Sequence, residues 1–502
     1  MKYNALRQAG VLLHISSLPS KYGCGGCGKE TYDFLKTIKS AGFSLWQVLP
    51  LCPLGFGNSP YSSISAFAGN ELFIDLDLLI DEGLLKKSDV TEYKGDKGRV
   101  NWDFLREYKM PSLKIGAKNL IKKLETNTKL LSAYNAFKES SSYWLYDYAL
   151  FRVLSDKYST SSWNTSWSDD EKMRSKTAIE RILKEKSDEI EVWMALQFIF
   201  YKQWKDVKRF ANELGIKIIG DMPYCSSKDS AEVWAHPELF YFDEKMRVKK
   251  VVGVPPDAFS ETGQLWGNPQ YNWSEHKKEN FRFWIERVKS QLQLFDYLRL
   301  DHFRGFVSSW TVDAKERTAV NGKWVKSEGD LLFKTLYKEF KINEDYNPFI
   351  AEDLGVITDD VVALREKLSL PSLRVMEFGF NHGNDDPHLP HMWDENVIGY
   401  LGTHDNNTLI GWWENDASLY ERDRVKRYMY ANDESAPWYM MRALVASRAP
   451  IVMFSMQDLM FLGSDARFNT PGVVSDKNWT YRITSSFDTE KFKNLLQMFA
   501  RA

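Results

Sequence analysis

The sequence lacks the marks of several protein classes. Its 502 residues contain four cysteines (Cys24, Cys27, Cys52 and Cys225), too few for a disulfide framework. Lysine and arginine total 66 against 68 for aspartate and glutamate, a net charge of -2 with no basic block. Nucleic acids and anionic membranes are therefore poor partners, and a neutral partner fits better.

Long hydrophobic runs are also missing. The longest uncharged apolar stretch, around residues 192–201, has about ten residues, whereas a membrane helix needs roughly 18. The apolar residues 11–15 are too few for the hydrophobic region of a signal peptide, and no small-residue cleavage site follows them. Together with the low cysteine content, this predicts a cytoplasmic protein.

Short apolar or alternating runs that end in polar or loop-forming residues recur along the chain. They lie at residues 10–15, 44–50, 216–223, 296–302, 348–354, 373–378, 397–405 and 451–458. Helix-like stretches separate most of them, at residues 29–40, 274–294, 359–367 and 436–447. This alternation implies a parallel sheet, and the number of units favours a single (β/α)8 TIM barrel over residues 1–502.

One connection is much longer than a crossover helix requires. Residues 51–215 separate the second predicted strand from the third, and residues 117–214 contain neither glycine nor proline. Apolar side chains recur there at spacings of three and four residues, for example Trp144, Tyr148, Phe151 and Leu154. We therefore predict an inserted, mainly helical subdomain at residues 51–215, with an internal loop at 159–170.

Carboxylates stand at the ends of four predicted strands. They are Asp221, Asp301, Glu352 and Asp405. The C-terminal ends of barrel strands meet at one rim, so these side chains are expected around a single pocket. Period-two alternation places Arg299 on the same side as Asp301, where it would keep the aspartate ionised.

Each carboxylate alone could simply cap the next helix, a common role for aspartate in such loops. The combination of four, two beside histidines and one beside an arginine, favours chemistry instead. Cleavage of a glycosidic bond needs one ionised carboxylate to attack the anomeric carbon and one protonated carboxyl to assist the leaving oxygen. A third carboxylate can stabilise positive charge on the sugar ring.

A series of strings across nearly the whole chain carries a family resemblance. They are Ser59-Pro-Tyr61 through Ala66-Phe-Ala-Gly-Asn70, Gly220-Asp-Met-Pro223, Val254-Pro-Pro-Asp257 through Gly263-Gln-Leu-Trp266-Gly-Asn-Pro269, Arg299-Leu-Asp301-His302-Phe-Arg304-Gly305, Ala351-Glu352-Asp353-Leu-Gly355, Gly402-Thr-His404-Asp405-Asn406 and Gly463-Ser-Asp-Ala-Arg467-Phe-Asn469. The chain resembles the 4-alpha-glucanotransferases, the amylomaltase or disproportionating enzyme family of alpha-amylase-like glycosidases. The combination is far more specific than any single short motif.

The resemblance implies roles for individual residues. Asp301 would be the nucleophile, Glu352 the general acid and then base, and Asp405 the stabiliser of the transition state. Contacts with the sugar would come from Tyr61, Asp221, Asp257, Trp266, Arg299, His302, His404 and Asn469. A retaining double displacement would then place the carboxyl groups of Asp301 and Glu352 roughly 5–5.5 Å apart. Neighbouring carboxylates would raise the pKa of Glu352 so that it starts protonated.

Residues 254–269 have the composition of a mobile lid. Pro255 and Pro256 stiffen one part, and Gly263 and Gly267 permit bends. We predict a lid-like substrate loop within an insertion at residues 224–272, with Trp266 covering a bound sugar. An ordinary long loop with a buried tryptophan is the alternative.

Two other short motifs, a glycine-rich stretch and a CxxC, lack the context that their usual functions need. Residues 23–28 match the dinucleotide-binding pattern GxGxxG, but they do not directly follow a predicted strand. Residues 23–29 nearly match a phosphate-binding loop, but Glu30 stands where that loop needs Ser or Thr. Cys24 and Cys27 form a CxxC, yet no second CxxC completes a zinc pattern, so free thiols are favoured over a zinc or redox site.

The sequence therefore predicts a 4-alpha-glucanotransferase that moves alpha-1,4-glucan segments between malto-oligosaccharides and needs no cofactor or metal. A hydrolase of the same glucans and a noncatalytic glucan-binding protein are the alternatives. About 45 residues follow the eighth predicted strand, too few for the C-terminal β-domain of the common alpha-amylase plan, which favours the transferase on family grounds.

Overall fold

The computed structural model describes residues 7–256 and 260–502. In chain order its strands are β1 (Gln8–Leu12), β2 (Leu45–Gln47), β3 (Lys217–Met222), β4 (Lys250–Val254), β5 (Gln264–Pro269), β6 (Tyr297–Leu300), β7 (Ser308–Asp313), β8 (Gly322–Lys326), β9 (Phe349–Ala351), β10 (Ser372–Val375), β11 (Val397–Tyr400) and β12 (Ile451–Ser455). Eight of them form one parallel sheet in the order β10-β11-β12-β1-β2-β3-β6-β9. Each of the eight overlaps a predicted strand.

The two edge strands of this sheet, β9 and β10, are consecutive among its strands. The Ala351 amide donates to the Pro371 carbonyl at 3.3 Å, which joins β9 to the residues just before β10. The sheet therefore curls back on itself, and the predicted (β/α)8 barrel is confirmed.

The barrel interior is a packed apolar core. Its buried side chains come from strands all around the sheet: Leu45, Ile219, Ile350, Leu373, Val375, Ile398, Tyr400, Ile451 and Met453. A Cβ atom built on Gly10 of β1 would lie 2.5 Å from Met453 Sδ and 2.7 Å from Leu45 Cβ. Only glycine fits at this point of β1 without displacing its neighbours.

The described chain contains nineteen α-helices in addition to short 3-10 and π-helical turns. They are α1 (Lys29–Ser40), α2 (Leu76–Asp81), α3 (Trp102–Phe104), α4 (Met110–Leu124), α5 (Thr128–Ser140), α6 (Leu145–Tyr158), α7 (Trp163–Ser166), α8 (Asp169–Lys172), α9 (Lys176–Glu213), α10 (Ala231–Ala235), α11 (Trp273–Lys278), α12 (Arg282–Leu294), α13 (Gly329–Glu339), α14 (Asp359–Lys367), α15 (Leu409–Gly411), α16 (Leu419–Met429), α17 (Ala436–Ala446), α18 (Met456–Leu459) and α19 (Thr489–Met498). The stretch predicted as one helix at 274–294 is divided into α11 and α12, because Asn280 and Phe281 adopt left-handed φ values of 53° and 58°.

The long connection between β2 and β3 contains the helices α2 to α9. The four apolar residues singled out from its sequence, at 144, 148, 151 and 154, are all buried. The stretch predicted as a loop at 159–170 holds the one-turn helix α7 and the start of α8. The helical character of this segment agrees with its lack of glycine and proline, while its status as a separate subdomain stays a prediction.

A second, antiparallel sheet of four strands, in the order β5-β4-β7-β8, was not predicted. It joins the segment after β3 to the segment after β6, since Gly253 of β4 pairs with Leu265 of β5 and with Trp310 of β7. Part of the stretch read as a lid is therefore strand. Beyond β12, the described residues form helices and turns with no further strand.

In the part of the chain that the structure describes, no helix combines the length and apolar character needed to span a membrane. The cytoplasmic location stays a prediction.

Candidate active site

The four carboxylates predicted at strand ends, three of them catalytic, lie at or beyond the C-terminal ends of barrel strands. Asp221 is within β3, while Asp301 and Glu352 directly follow β6 and β9. Asp405 lies in a turn five residues beyond the end of β11, so the strand predicted at 397–405 is shorter than expected. The barrel thus brings these residues to one rim.

Arg299 links two of the carboxylates. Its Nη1 atom donates to Asp221 Oδ1 and Oδ2 and to Asp301 Oδ1, each at 2.8 Å. Burial lowers the pKa of this guanidinium, but the carboxylates of Asp221 and Asp301 outweigh that effect and raise it well above its usual value. The predicted Arg299–Asp301 pair is present, and Arg299 stays charged at any physiological pH.

Tyr61 and His404 form one wall beside this pair. The Tyr61 hydroxyl donates to Asp221 Oδ2 at 2.9 Å. The Tyr61 ring stacks on His404 with a centroid distance of 5.0 Å and an interplanar angle of 9°. Burial, followed by the Asp221 carboxylate, raises the pKa of Tyr61 well above its usual value, so the phenol remains a donor.

Glu352 faces the turn that follows Asp301. Its Oε2 accepts from the His302 amide at 2.8 Å, and its Oε1 accepts from the Leu354 amide at 2.9 Å. Burial raises the pKa of Glu352 to about 7; Arg299 opposes this rise and the Asp301 carboxylate adds to it. The raised pKa agrees with the sequence-based expectation, but the main cause is burial rather than the neighbouring carboxylates.

His302 and Trp266 lie on the other side of Asp301. His302 has a left-handed φ of 50°, an unusual conformation for a non-glycine residue and one often found at functional sites. Trp266, which is 38% exposed, meets the His302 ring edge to face at a centroid distance of 5.0 Å. Burial lowers the pKa of His302 to about 4, so its ring is neutral at pH 7.

Asp405 is held by residues from the far end of the sequence. Asn469 Nδ2 donates to Asp405 Oδ1 at 2.7 Å, and His404 Nε2 lies 3.4 Å from Oδ2. Arg467 Nη2 donates to the Asp405 backbone carbonyl at 2.6 Å. The carboxylate is about half exposed, with an exposed side-chain fraction of 47%, so it can face a ligand in the cleft.

Every predicted site residue except one is therefore found in this cluster. Asp257 lies outside the described residues, and its predicted contact stays a prediction. Two residues of the cluster were not assigned from the sequence: Arg467, and Trp479, whose ring lies 5.7 Å from Tyr61. The string ending at Asn469 already contained Arg467, whereas no motif signalled Trp479.

The four cysteines make none of the hydrogen bonds described above. All four are free; Cys24, Cys27 and Cys52 are buried and Cys225 is half-buried. Among residues 7–256 and 260–502, no three His, Cys, Asp or Glu side chains are grouped as ligands for a metal ion. The preference for free thiols over a zinc or redox site stays a prediction.

Comparisons with known proteins agree with the geometry. A family model described as 4-alpha-glucanotransferase matches residues 13–487. The 4-alpha-glucanotransferase of Aquifex aeolicus is 44% identical over 99% of this chain and 100% of its own length. That of Thermus thermophilus is 42% identical over 95% of both chains.

The fold is shared as well. The amylomaltase of Streptococcus agalactiae, solved in complex with acarbose, superposes with a TM-score of 0.93 at 35% identity, covering 99% of this chain and 100% of that one. The chain therefore belongs to the 4-alpha-glucanotransferase family, as its sequence strings indicated.

Proposed function

We propose that this protein transfers alpha-1,4-glucan segments between malto-oligosaccharides by a retaining double displacement. One observation carries the proposal: Arg299 Nη1 donates to Asp301 Oδ1 at 2.8 Å, while burial raises the pKa of Glu352, which follows the neighbouring strand, to about 7. An ionised carboxylate and a protonated carboxyl side by side are what a retaining glycosidic mechanism requires. The family relationship supports the same reaction.

In the first step, an Asp301 carboxylate oxygen attacks the anomeric carbon as the glycosidic bond breaks. The Glu352 carboxyl gives its proton to the leaving 4-oxygen, and a glycosyl ester of Asp301 remains. In the second step, the Glu352 carboxylate takes the proton of an acceptor 4-hydroxyl, whose oxygen attacks the anomeric carbon and releases Asp301. Two inversions retain the alpha configuration.

The remaining residues would bind the sugar and stabilise charge. Asp405, fixed by Asn469 and Arg467, would face the positive charge that develops on the ring. Arg299, His302 and His404 would hydrogen-bond to its hydroxyls, and Tyr61 and Trp266 would pack against its apolar faces. Asp221 is fully buried and would act by holding Arg299 and Tyr61 in place. Asp257 would contribute from the segment between β4 and β5.

Transfer rather than hydrolysis depends on the fate of the glycosyl ester. A water molecule in place of the acceptor would give a hydrolase of the same substrates. Membership of the glucanotransferase family favours transfer, and neutral malto-oligosaccharides suit a chain with a net charge of -2.

Incubation of the purified protein with maltotriose tests the reaction directly. Transfer predicts free glucose together with longer oligomers at a constant number of reducing ends. Rising reducing ends with only shorter products would make the protein a hydrolase. No change in the sugars would contradict catalysis on this donor and revive the glucan-binding alternative.

The nucleophile is tested by replacing Asp301 with Asn, which keeps the size of the side chain but cannot form the ester. We expect turnover of maltotriose to fall by at least about a thousandfold, as loss of a nucleophile commonly does. The exposed Glu185→Gln variant is the matched control and should turn over normally. Near-normal turnover of Asp301→Asn would refute the assignment.

A further inference from the structure

A buried carboxyl group near the rim takes no part in the proposed reaction. Glu377 lies in the 3-10 turn Met376–Phe380, directly after β10 and at the same end of the barrel as Asp301. Its side chain is 2% exposed, and its Oε1 atom has no hydrogen-bond partner. An ionised carboxylate with an oxygen buried in this way would be strongly disfavoured.

The charged groups around Glu377 are mostly acidic. The negative charges of Asp458 in α18, of Asp416 just before α16 and of Glu421 in α16 act on Glu377, as does the positive charge of Arg467. The turn Met376–Phe380 carries no other titratable side chain. Burial, then Asp458 and Asp416, raise the pKa of Glu377 well above its usual value, and Arg467 opposes this only in part.

The cation is already engaged elsewhere. Arg467 Nη2 donates to the Asp405 carbonyl and Nε donates to the Asn469 carbonyl, both at 2.6 Å. Arg467 thus binds the backbones of Asp405 and Asn469, whose side chains are themselves joined by the hydrogen bond from Asn469 Nδ2 to Asp405 Oδ1. An ionised Glu377 would compete with both carbonyls for Arg467.

Glu377 also packs against the start of the turn that carries Asp405. A Cβ atom built on Gly402 would lie 3.2 Å from Glu377 Oε2 and 3.3 Å from Oε1. The Glu377 amide donates to the Leu401 carbonyl at 3.3 Å. The backbone of Glu377 is thus bonded to Leu401, and its carboxyl group lies beside Gly402, three residues before Asp405.

We propose that Glu377 is a positioning residue that remains a neutral carboxylic acid, supports the turn at residues 402–406 and so fixes Asp405. A neutral acid fills the space beneath Gly402 and leaves Arg467 bound to the Asp405 backbone. The inference rests on the proposed function, because the role of Asp405 belongs to it.

Two substitutions separate a neutral acid from a carboxylate. Glu377→Gln keeps the shape and cannot ionise, so kcat for maltotriose should stay within about threefold of the wild type. Glu377→Ala leaves space beneath Gly402 and lets the turn move, so kcat should fall at least about tenfold with little change in KM, since Asp405 acts in the transition state. Equal, large losses in both variants would show that the charge is needed, and full activity of Glu377→Ala would show that Glu377 positions nothing.

Infrared spectroscopy at pH 8 tests the protonation state independently of activity. In a Glu352→Gln background, the carbonyl band of a protonated carboxylic acid should be present and should lose intensity when Glu377 is also changed to Gln. The exposed Glu185→Gln change is the control and should leave the band intact. An unchanged band on replacing Glu377 would mean that Glu377 is ionised, which overturns the proposal even if Glu377→Ala fails to fold.

Different results would contradict the proposed glucan transfer and the proposed role of Glu377. If the wild type produces no glucose and longer oligomers from maltotriose, the proposed function fails, whereas the infrared result still decides the state of Glu377. If transfer occurs but the band is absent or Glu377→Ala is fully active, only the inference about Glu377 fails.

Discussion

At the scale of single residues, the candidate site depends on one guanidinium shared by two aspartates. Arg299 donates to both oxygens of Asp221 and to one oxygen of Asp301. Such sharing fixes the direction of the Asp301 carboxylate and leaves its second oxygen free of this arginine. Glu352 instead accepts hydrogen bonds from two backbone amides, so the two carboxyl groups of the proposed reaction occupy different environments.

The pH dependence of the reaction follows from Glu352. Its pKa of about 7 means that the protonated form is lost as the pH rises through 7. The rate of formation of the glycosyl ester should therefore be flat with respect to this group below pH 7 and fall up to tenfold per unit above it. Single-turnover measurements from pH 5 to 9 check this, and a rate that rises through pH 7 to 9 would contradict the role of Glu352 as the acid.

Replacing Glu352 should also change how the stability of the protein depends on pH. A carboxyl group with a raised pKa in the folded state binds its proton more tightly there than in the unfolded chain. Stability is therefore lost as the pH rises from about 4.5, the usual pKa of glutamate, towards 7. Glu352→Gln cannot ionise and lacks this loss, so its melting temperature should rise relative to the wild type between pH 5 and 8.

The residues of the site were largely predictable because they follow predicted strands or occur in recognisable strings. Asp301 and Glu352 directly follow β6 and β9. Trp479 and Glu377 were not found, because their proximity to Tyr61 and Gly402 arises from tertiary contacts that leave no pattern in the chain. Burial raises the pKa of Glu352 more than the neighbouring charges do, and this burial also arises from tertiary contacts that the sequence does not reveal.

At the scale of elements, the antiparallel sheet is the main departure from the predicted structure. The barrel strands were found because each is a short apolar run followed by a helix, a local signal. The second sheet pairs β4 with β7, so that Gly253 lies beside Trp310 although the barrel strand β6 and two helices stand between them in the sequence. Its strand β5 reads Gln-Leu-Trp-Gly-Asn-Pro, whose glycine, asparagine and proline are typical of a loop.

Trp266 on β5 provides a test of this element. Its ring is 38% exposed beside His302, so loss of the ring should weaken sugar binding more than it slows the chemistry. An aromatic contact of about 1–2 kcal/mol predicts a KM for maltotriose raised roughly 5- to 30-fold in Trp266→Ala, with kcat within about threefold. Trp266→Phe retains a flat ring and should recover most of the affinity, whereas an unchanged KM in Trp266→Ala would exclude the contact.

At the scale of the whole molecule, the barrel core sets the positions of all the strand ends. The interior side chains of β2, β3, β9, β10, β11 and β12 form one buried cluster, and Gly10 of β1 lies directly against it. The rim residues depend on this core only through the register of their strands. Disturbing the core should therefore lower stability before it alters the chemistry.

Gly10→Ala tests this packing. The new methyl group would lie 2.7 Å from Leu45 Cβ, which cannot move as the flexible end of Met453 can. Overpacking of this kind costs about 1–3 kcal/mol, so the melting temperature should fall by several degrees while kcat changes little. Gly98→Ala meets only ordinary contacts at 3.4 and 3.6 Å and should melt with the wild type. An unchanged melting temperature for Gly10→Ala would contradict the close packing of β1.

The central claim is that glucan transfer passes through a glycosyl ester on Asp301. The most direct measurement is to treat the protein with a 5-fluoro-glycosyl fluoride, which forms the ester faster than the ester is released, and to locate the label by peptide mass spectrometry. The account predicts one added glycosyl group, on the peptide containing Asp301, and none on the Asp301→Asn variant. A label on another residue, or turnover of the fluoride with no covalent adduct, would contradict it.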